Sequence, residues 1–208
     1  MSARALIVYS DYKSPYAYLA KDLAYALEQS HGARLDWRPY VLDIPSYLGS
    51  ARLDEAGRVI EESRNAHQWR RVRYSYMDCR REAAKRGLVI RGTQKIWDSS
   101  LAAAGMLFAQ ARGDAVFRRY HDAVFEQFWR RALDIENPDA LAAVLAEAGA
   151  GEGFQGWAEE GKTRVAAISR EAEAAGVFGV PSFILDGELF WGREHLPEIA
   201  NRLAAAAG

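Results

Sequence analysis

The sequence holds a single cysteine, Cys79. One thiol can neither close an intrachain disulfide nor run dithiol exchange within the chain, and no Cys/His group has the spacing of a zinc site. Charge of one sign is lacking too. The 27 basic and 28 acidic residues leave a formal net charge of −1, so no overall field draws the chain to nucleic acid or to an anionic membrane. No stretch approaches the roughly 18 apolar residues of a membrane span. The opening Met-Ser-Ala-Arg-Ala-Leu-Ile-Val-Tyr enters a short β-like run without the longer apolar segment of a signal peptide. The expectation is a cytoplasmic protein that recognises its partners at local sites, with no nucleic acid, no membrane and no metal among them. What is plentiful is core-forming material: 50% of the 208 residues are hydrophobic and 12% aromatic, ample for one domain or one domain with a large insertion.

Periodicity divides the chain into three. Residues 5–9 read as a buried strand, and after Pro15 the residues Leu19, Leu23 and Leu27 mark one helical face that Gly32 closes. Residues 34–42 alternate as a second strand, completing a β-α-β unit. From about 59 to 175 the chain is rich in Ala, Arg, Glu and Leu. Ser99 or Ser100 is placed to cap a helix ending near Gly113. Val116, Phe117, Tyr120, Val124 and Phe128 stripe the next helix, and Asn137-Pro138 caps another. After Gly176 the pattern changes to Ser-Phe-Ile-Leu, Asp186-Gly187, Glu-Leu-Phe-Trp, a hairpin signal with a dipeptide suited to a type I′ turn, followed by a helix near 193–206. The order predicts an α/β architecture: a thioredoxin-like fold formed by residues 1–45 and 176–208, interrupted by a large all-helical insertion at 46–175.

Within this frame Ser14-Pro15-Tyr16-Ala17 lies at the strand-to-helix turn, the layout of the redox motif Cys-Pro-X-Cys with neither cysteine present. Ser14 has two compatible readings. It is a helix N-cap, and it is a hydroxyl donor to a ligand thiolate held in the positive field of the helix terminus. Lys13 adds positive charge there if it turns inward. Residues 64–86 carry eight basic side chains against Asp78 and Glu82. That run is either a solvated helix face or an anion site, for which Arg71 and Arg73 are the candidates. Tyr12, Tyr16, Trp69, Tyr74, Trp97 and Trp191 are either core residues or walls of an aromatic pocket, with Tyr12, Tyr16 and Trp97 the candidates nearest the motif. The four histidines have no metal or triad context, and Cys79, in a predicted helix over 69–86, reads as inert and partly buried.

The runs Asp11-Tyr12-Lys13-Ser14-Pro15-Tyr16-Ala17-Tyr18-Leu19-Ala20, Gly179-Val180-Pro181-Ser182-Phe183 and Asp186-Gly187-Glu188-Leu189-Phe190-Trp191-Gly192 resemble the DsbA-like thioredoxin superfamily. Within it they are similar to the branch of 2-hydroxychromene-2-carboxylate isomerase and kappa-class glutathione transferase. The resemblance implies reduced glutathione as co-substrate, its sulfur held by Ser14 and its cysteinyl backbone paired with Val180 beside a cis bond to Pro181. It also implies a small aromatic conjugated carbonyl substrate, to which the thiolate adds reversibly, and a possible homodimer. Three departures accompany it. The loop that in this branch contributes an Asn and a Lys to glutathione binding does not align with residues 46–73. Ser99 stands where relatives often have Asn, and the expected Gly-X-Asp-Arg reads Gly192-Arg193-Glu194-His195, which makes Arg193 and Glu194 the candidates for that part of the glutathione site. A non-catalytic module binding a peptide or thiol is the alternative. Thiol-disulfide exchange ranks last, because Ser14 and Ala17 leave no attacking or resolving thiol.

Overall fold

The computed structural model describes residues 4–205. Strand β1 (Ala5–Ser10) leads through a tight turn into α1 (Pro15–His31), and β2 (Arg34–Pro39) returns parallel to β1, with Ser10 opposite Pro39. Pro15 opens α1 at a position whose N–H would have no helical partner, and Gly32 ends it in the left-handed region at φ 62°. Ala17, Ala20, Ala24 and Leu27 form its buried face, with Leu19 fully covered. Leu23 is 38% exposed, against expectation. Leu19 and Leu27 are buried as the row implies, and only Leu23 between them reaches the surface.

The segment that follows holds α2 (Ile44–Leu48), β3 (Ala51–Leu53), β4 (Val59–Glu62), α3 (Ala66–Ala84), α4 (Ser100–Gln110), α5 (Asp114–Trp129), α6 (Pro138–Glu147) and α7 (Phe154–Ala174). It is therefore helical but not all-helical: β3 and β4 pair as a separate two-stranded hairpin. Its turn is set by Asp54, whose carboxylate accepts the Arg58 N–H at 2.8 Å and whose carbonyl accepts the Gly57 N–H at 3.0 Å. All of β4 is exposed, so the sequence carries no in-out alternation to betray it. The Asn137 cap is as expected, accepting the Asp139 and Ala140 N–H groups. Ser99 makes no capping bond. Asp98 accepts the Ser100 N–H at 2.9 Å in its place, and the Ser99 hydroxyl is buried without a partner among the described residues. Helices α4 and α7 pack so closely that a Cβ on Gly161 would lie 2.8 Å from that of Ala104.

The last part returns to the first sheet. Strands β5 (Ser182–Leu185) and β6 (Glu188–Trp191) form a hairpin whose Asp186 (φ 51°) and Gly187 (φ 83°) both sit at positive φ, as a type I′ turn requires. A 3₁₀ turn (Arg193–His195) and α8 (Leu196–Ala205) close the described chain. The four strands lie in the order β2-β1-β5-β6, with β5 antiparallel to β1. Residues from both ends of the chain thus share one sheet, while those between them build the helical body. No described helix is long and apolar enough to cross a membrane.

Candidate active site at the N-terminus of helix α1

Tyr9 pairs with Ser182 and Ser10 with Pro39, so three chain segments leave the sheet at one end: 11–14 after β1, 40–45 after β2, and 179–181 before β5. The Val180–Pro181 bond there is cis. Asp11 ties the first two segments together. Its buried carboxylate accepts the Lys13 N–H at 3.2 Å and the Leu42 N–H at 2.8 Å, and its carbonyl accepts the Ser14 N–H at 3.0 Å.

Ser14 caps α1. Its Oγ accepts the Ala17 N–H at 3.2 Å, and its carbonyl accepts the Tyr18 N–H at 3.2 Å. The hydroxyl proton has no acceptor among the described residues, and neither does the Tyr16 N–H a carbonyl to meet. Two donors at the positive end of a 17-residue helix are thus uncommitted. Across the sheet end, neither the N–H nor the carbonyl of Val180 has a partner among the described residues, whereas the next carbonyl, of Pro181, accepts the Gly192 N–H at 2.9 Å. The arrangement can hold an anionic sulfur at the helix end and pair with an extended peptide-like chain at Val180.

Lys13 does turn inward: its side chain is 6% exposed and its ammonium lies 3.8 Å from Asp11. It lines an open cavity of about 420 Å³ with Val41, Leu42, Asp43, Pro45, Ile96, Trp97 and Asp98. Trp97 lines that cavity, its indole packed on Phe128 and capped by the Lys95 ammonium 4.3 Å from the ring centre. Tyr12 is not. It is 2% exposed and donates to or accepts from His121 Nδ1 at 2.9 Å, inside an aromatic cluster with Tyr120 and Phe125. It lies in the turn after β1, where the aromatic side chains of α5 cover it. Tyr16 reaches sideways from α1 to α3, where its hydroxyl donates to Asp78 at 3.1 Å. Burial, with Cys79 and Asp78 nearby, raises its pKa.

The arginine candidates separate. Arg71 is exposed on α3 but lies near the Tyr47 hydroxyl, which keeps company with Asp11, Tyr40 and Asp43. Desolvation pushes that phenol up to about 12, and Arg71 opposes the shift. Arg73 is exposed on the same helix face as Arg70 and Met77. Arg193 pairs with Glu82 at 3.5 Å, bracing the 3₁₀ turn against α3. Glu194 is exposed, with its carboxylate folded over Gly192. Cys79 is fully buried, and desolvation pushes its thiol up to about 12. Among the described residues no group of His, Cys, Asp and Glu converges as a metal site would.

Two features were missed by the sequence reading. Asp11 is the tie that holds the loop, a role signalled only by an acidic residue at the end of an apolar strand. Phe178 (62% exposed) packs at 5.0 Å against Trp191 (50% exposed), itself one of the aromatic candidates, beside Gly179, forming an aromatic ledge next to Val180.

A four-stranded sheet of this order, a helix N-terminus at one end and a cis-proline before the third strand in space define a thioredoxin-type protein. The chain belongs to the DSBA-like thioredoxin domain family, whose profile matches residues 5–204. Among characterised relatives, the 2-hydroxychromene-2-carboxylate isomerase of Sphingobium xenophagum is 25% identical over 201 residues, covering 94% of this chain and 95% of that one. A crystal structure of 2-hydroxychromene-2-carboxylate isomerase superposes with a TM-score of 0.72 at 19% identity, covering 98% of this chain and 96% of that one. The cytosolic disulfide reductase DsbM of Pseudomonas aeruginosa, solved with GSH, gives 0.61 at 19% identity, covering 98% and 97%. At these identities the two structures show a shared fold.

Proposed function

We propose that this chain is a glutathione-dependent isomerase or transferase, similar to 2-hydroxychromene-2-carboxylate isomerase, acting on an aromatic conjugated carbonyl compound. The observation that carries the reading is Ser14: its oxygen caps α1 while its proton is left without an acceptor among the described residues. A thiolate over that helix end meets a hydroxyl donor, the Tyr16 N–H and the helix field, which together lower a thiol pKa from about 8.5 towards neutral. Val180 offers one N–H and one carbonyl to the peptide part of the tripeptide, as an added strand would. Arg71, at the rim beside Tyr47, is available to a glutathione carboxylate; Arg193 is engaged with Glu82. When bound, glutathione supplies a nucleophilic sulfur that adds reversibly to a conjugated carbonyl compound, so isomerisation consumes none of it. Trp97, Val41 and Pro45 offer the acceptor compound an apolar wall.

Calorimetric titration with reduced glutathione, repeated with S-methyl glutathione, tests the reading. Binding that weakens on blocking the sulfur supports a thiolate at Ser14; no binding of either sinks the glutathione assignment. The alternative of a non-catalytic thiol or peptide-binding module draws on the same Val180 groups. It predicts binding without turnover of any conjugated carbonyl compound in the presence of glutathione. Disulfide exchange has no support in the position of Cys79, which is buried away from the helix end with its thiol held protonated.

A further inference from the structure

Ala104 and Gly161 bring α4 and α7 into close contact, and one turn further along α4 the two helices line an open cavity of about 540 Å³, a volume in the range of small-molecule sites. Its apolar lining comes from Leu107 and Phe108 on α4 and from Trp157 and Ile168 on α7. Phe108 is anchored in the core, its ring 5.5 Å from that of Phe154, whereas Leu107, Trp157 and Ile168 are only half-buried. Two guanidinium groups join that lining. Arg112 lies over the Phe108 ring, 3.2 Å from its centre, and Arg164 lies 5.5 Å from the centre of Trp157. Stacking on a ring holds the plane of a guanidinium and leaves its N–H edge for an oxyanion. Arg112 gives one N–H to the Phe108 carbonyl at 2.9 Å and pairs with no carboxylate among the described residues. Arg164 gives one nitrogen to Glu160, which lies outside the cavity lining. No acidic side chain lines the cavity among the described residues, so two cations face it and only one of them is paired.

We propose that this cavity is a second ligand site, separate from the one at Ser14, and that it takes an aromatic monoanion. The rings lie against Leu107, Trp157 and Ile168, and the anionic group meets the free edges of Arg112 and Arg164. The charge balance selects a single negative charge, since Arg112 is unpaired and Arg164 already shares its charge with Glu160. The apolar lining selects the rest of the molecule, because a small inorganic anion would leave the open faces of Trp157 and Ile168 in water. The site shares no lining residue with the cavity beside Lys13 and is lined by no nucleophile or general acid, so its ligand is held and not transformed. It goes beyond the proposed reaction and stands whether or not glutathione binds.

The test titrates the full chain with anilinonaphthalenesulfonate and with anilinonaphthalene, the same ring system without the sulfonate, while probe fluorescence is followed. Wild type is expected to bind the sulfonate at least about 10-fold more tightly than the neutral probe, the scale of one charged hydrogen bond. In the double variant Arg112→Gln with Arg164→Gln that preference falls to within about twofold, and the affinity for the neutral probe is unchanged. Trp157→Leu weakens both probes alike. Should Trp157→Leu fail to fold, as circular dichroism would show, the double arginine variant carries the test, since both of its changes lie on exposed residues. Lys13→Met is expected to bind the sulfonate as wild type does. Equal wild-type affinity for the two probes, binding of neither, or a preference that survives in the double variant overturns the proposal. So does a loss of sulfonate binding in Lys13→Met, which would move the probe to the other cavity. A lower sedimentation coefficient for the folded double variant than for wild type would show that a second copy of the chain covers this face, and would overturn it as well.

Discussion

Ser14 and Cys79 lie on either side of Tyr16 and receive opposite treatment. At Ser14 the backbone stops, a helix begins and donors are left over; at Cys79 a helix continues, every atom is packed and the thiol is held protonated near 12. A sulfur would be reactive in the first place and is inert in the second. The residue in the reactive place has a hydroxyl, which donates to a sulfur without competing as a nucleophile. The difference teaches that thiol chemistry in this fold is a property of the helix end rather than of the residue that occupies it, so a borrowed thiol can be activated where the chain has none of its own.

Removing the donor should have the largest effect. Ser14→Ala is expected to lower glutathione-dependent turnover by about 10² to 10³, the scale seen when one donor to a developing anion is lost, with glutathione affinity falling much less. Steady-state kinetics and calorimetry on the same preparation check it, and retained turnover would take Ser14 out of the mechanism.

Exchanging the two residues comes next. In the double variant Ser14→Cys with Cys79→Ser, the new thiol should be alkylated at neutral pH at least about 100-fold faster than Cys79 is in the folded wild type. Similar rates would mean that the helix end confers no activation. Iodoacetamide labelling followed by mass spectrometry reads this directly.

A smaller effect follows from the raised thiol pKa of Cys79. Its pKa is higher in the folded chain than the ordinary value of 9.0, so above pH 9 the unfolded chain loses the proton first and stability falls as pH rises. Between about pH 9 and 10 this group should remove about 1 kcal/mol, before the tyrosines add to the slope. Urea unfolding of wild type and Cys79→Ala at the two pH values should show the slope flatten in the variant; equal slopes would mean the thiol is not protected. The smallest effect is expected for Tyr16→Phe, which deletes the half-buried bond to Asp78 and should lower stability by about 1 kcal/mol without changing turnover. A fall in turnover there would draw Tyr16 into the site.

The parts of this structure legible in the sequence are those where local chemistry has one solution. Ser14-Pro15 can hardly do other than begin a helix, Asp186-Gly187 supplies both positive φ angles of its turn, and Asn137-Pro138 caps α6. Where several solutions compete, reading failed. The exposed strand β4 has no buried side to leave a period, and the leucine row of α1 marks its buried face at Leu19 and Leu27 but not at Leu23. The site divides in the same way. Ser14, Lys13 and Trp97 follow from their place beside the strand end, whereas Tyr12 turns to His121 because a core contact decides its rotamer. Arg71 and Arg73 are two residues apart on a helix and both exposed, and only the geometry shows that Arg71 comes near Tyr47. The role of Asp11 depends on a bond to Leu42, 31 positions away, which no local pattern encodes.

The central claim is that the helix end at Ser14 makes a thiolate of a bound thiol. It is tested most directly by titrating the ultraviolet thiolate absorbance of glutathione bound to wild type and to Ser14→Ala. The account predicts a bound thiol ionising well below the free value of about 8.5 in wild type, and a return most of the way to that value in the variant. A bound thiol that ionises at its free value in wild type, or one equally shifted in both proteins, would contradict it.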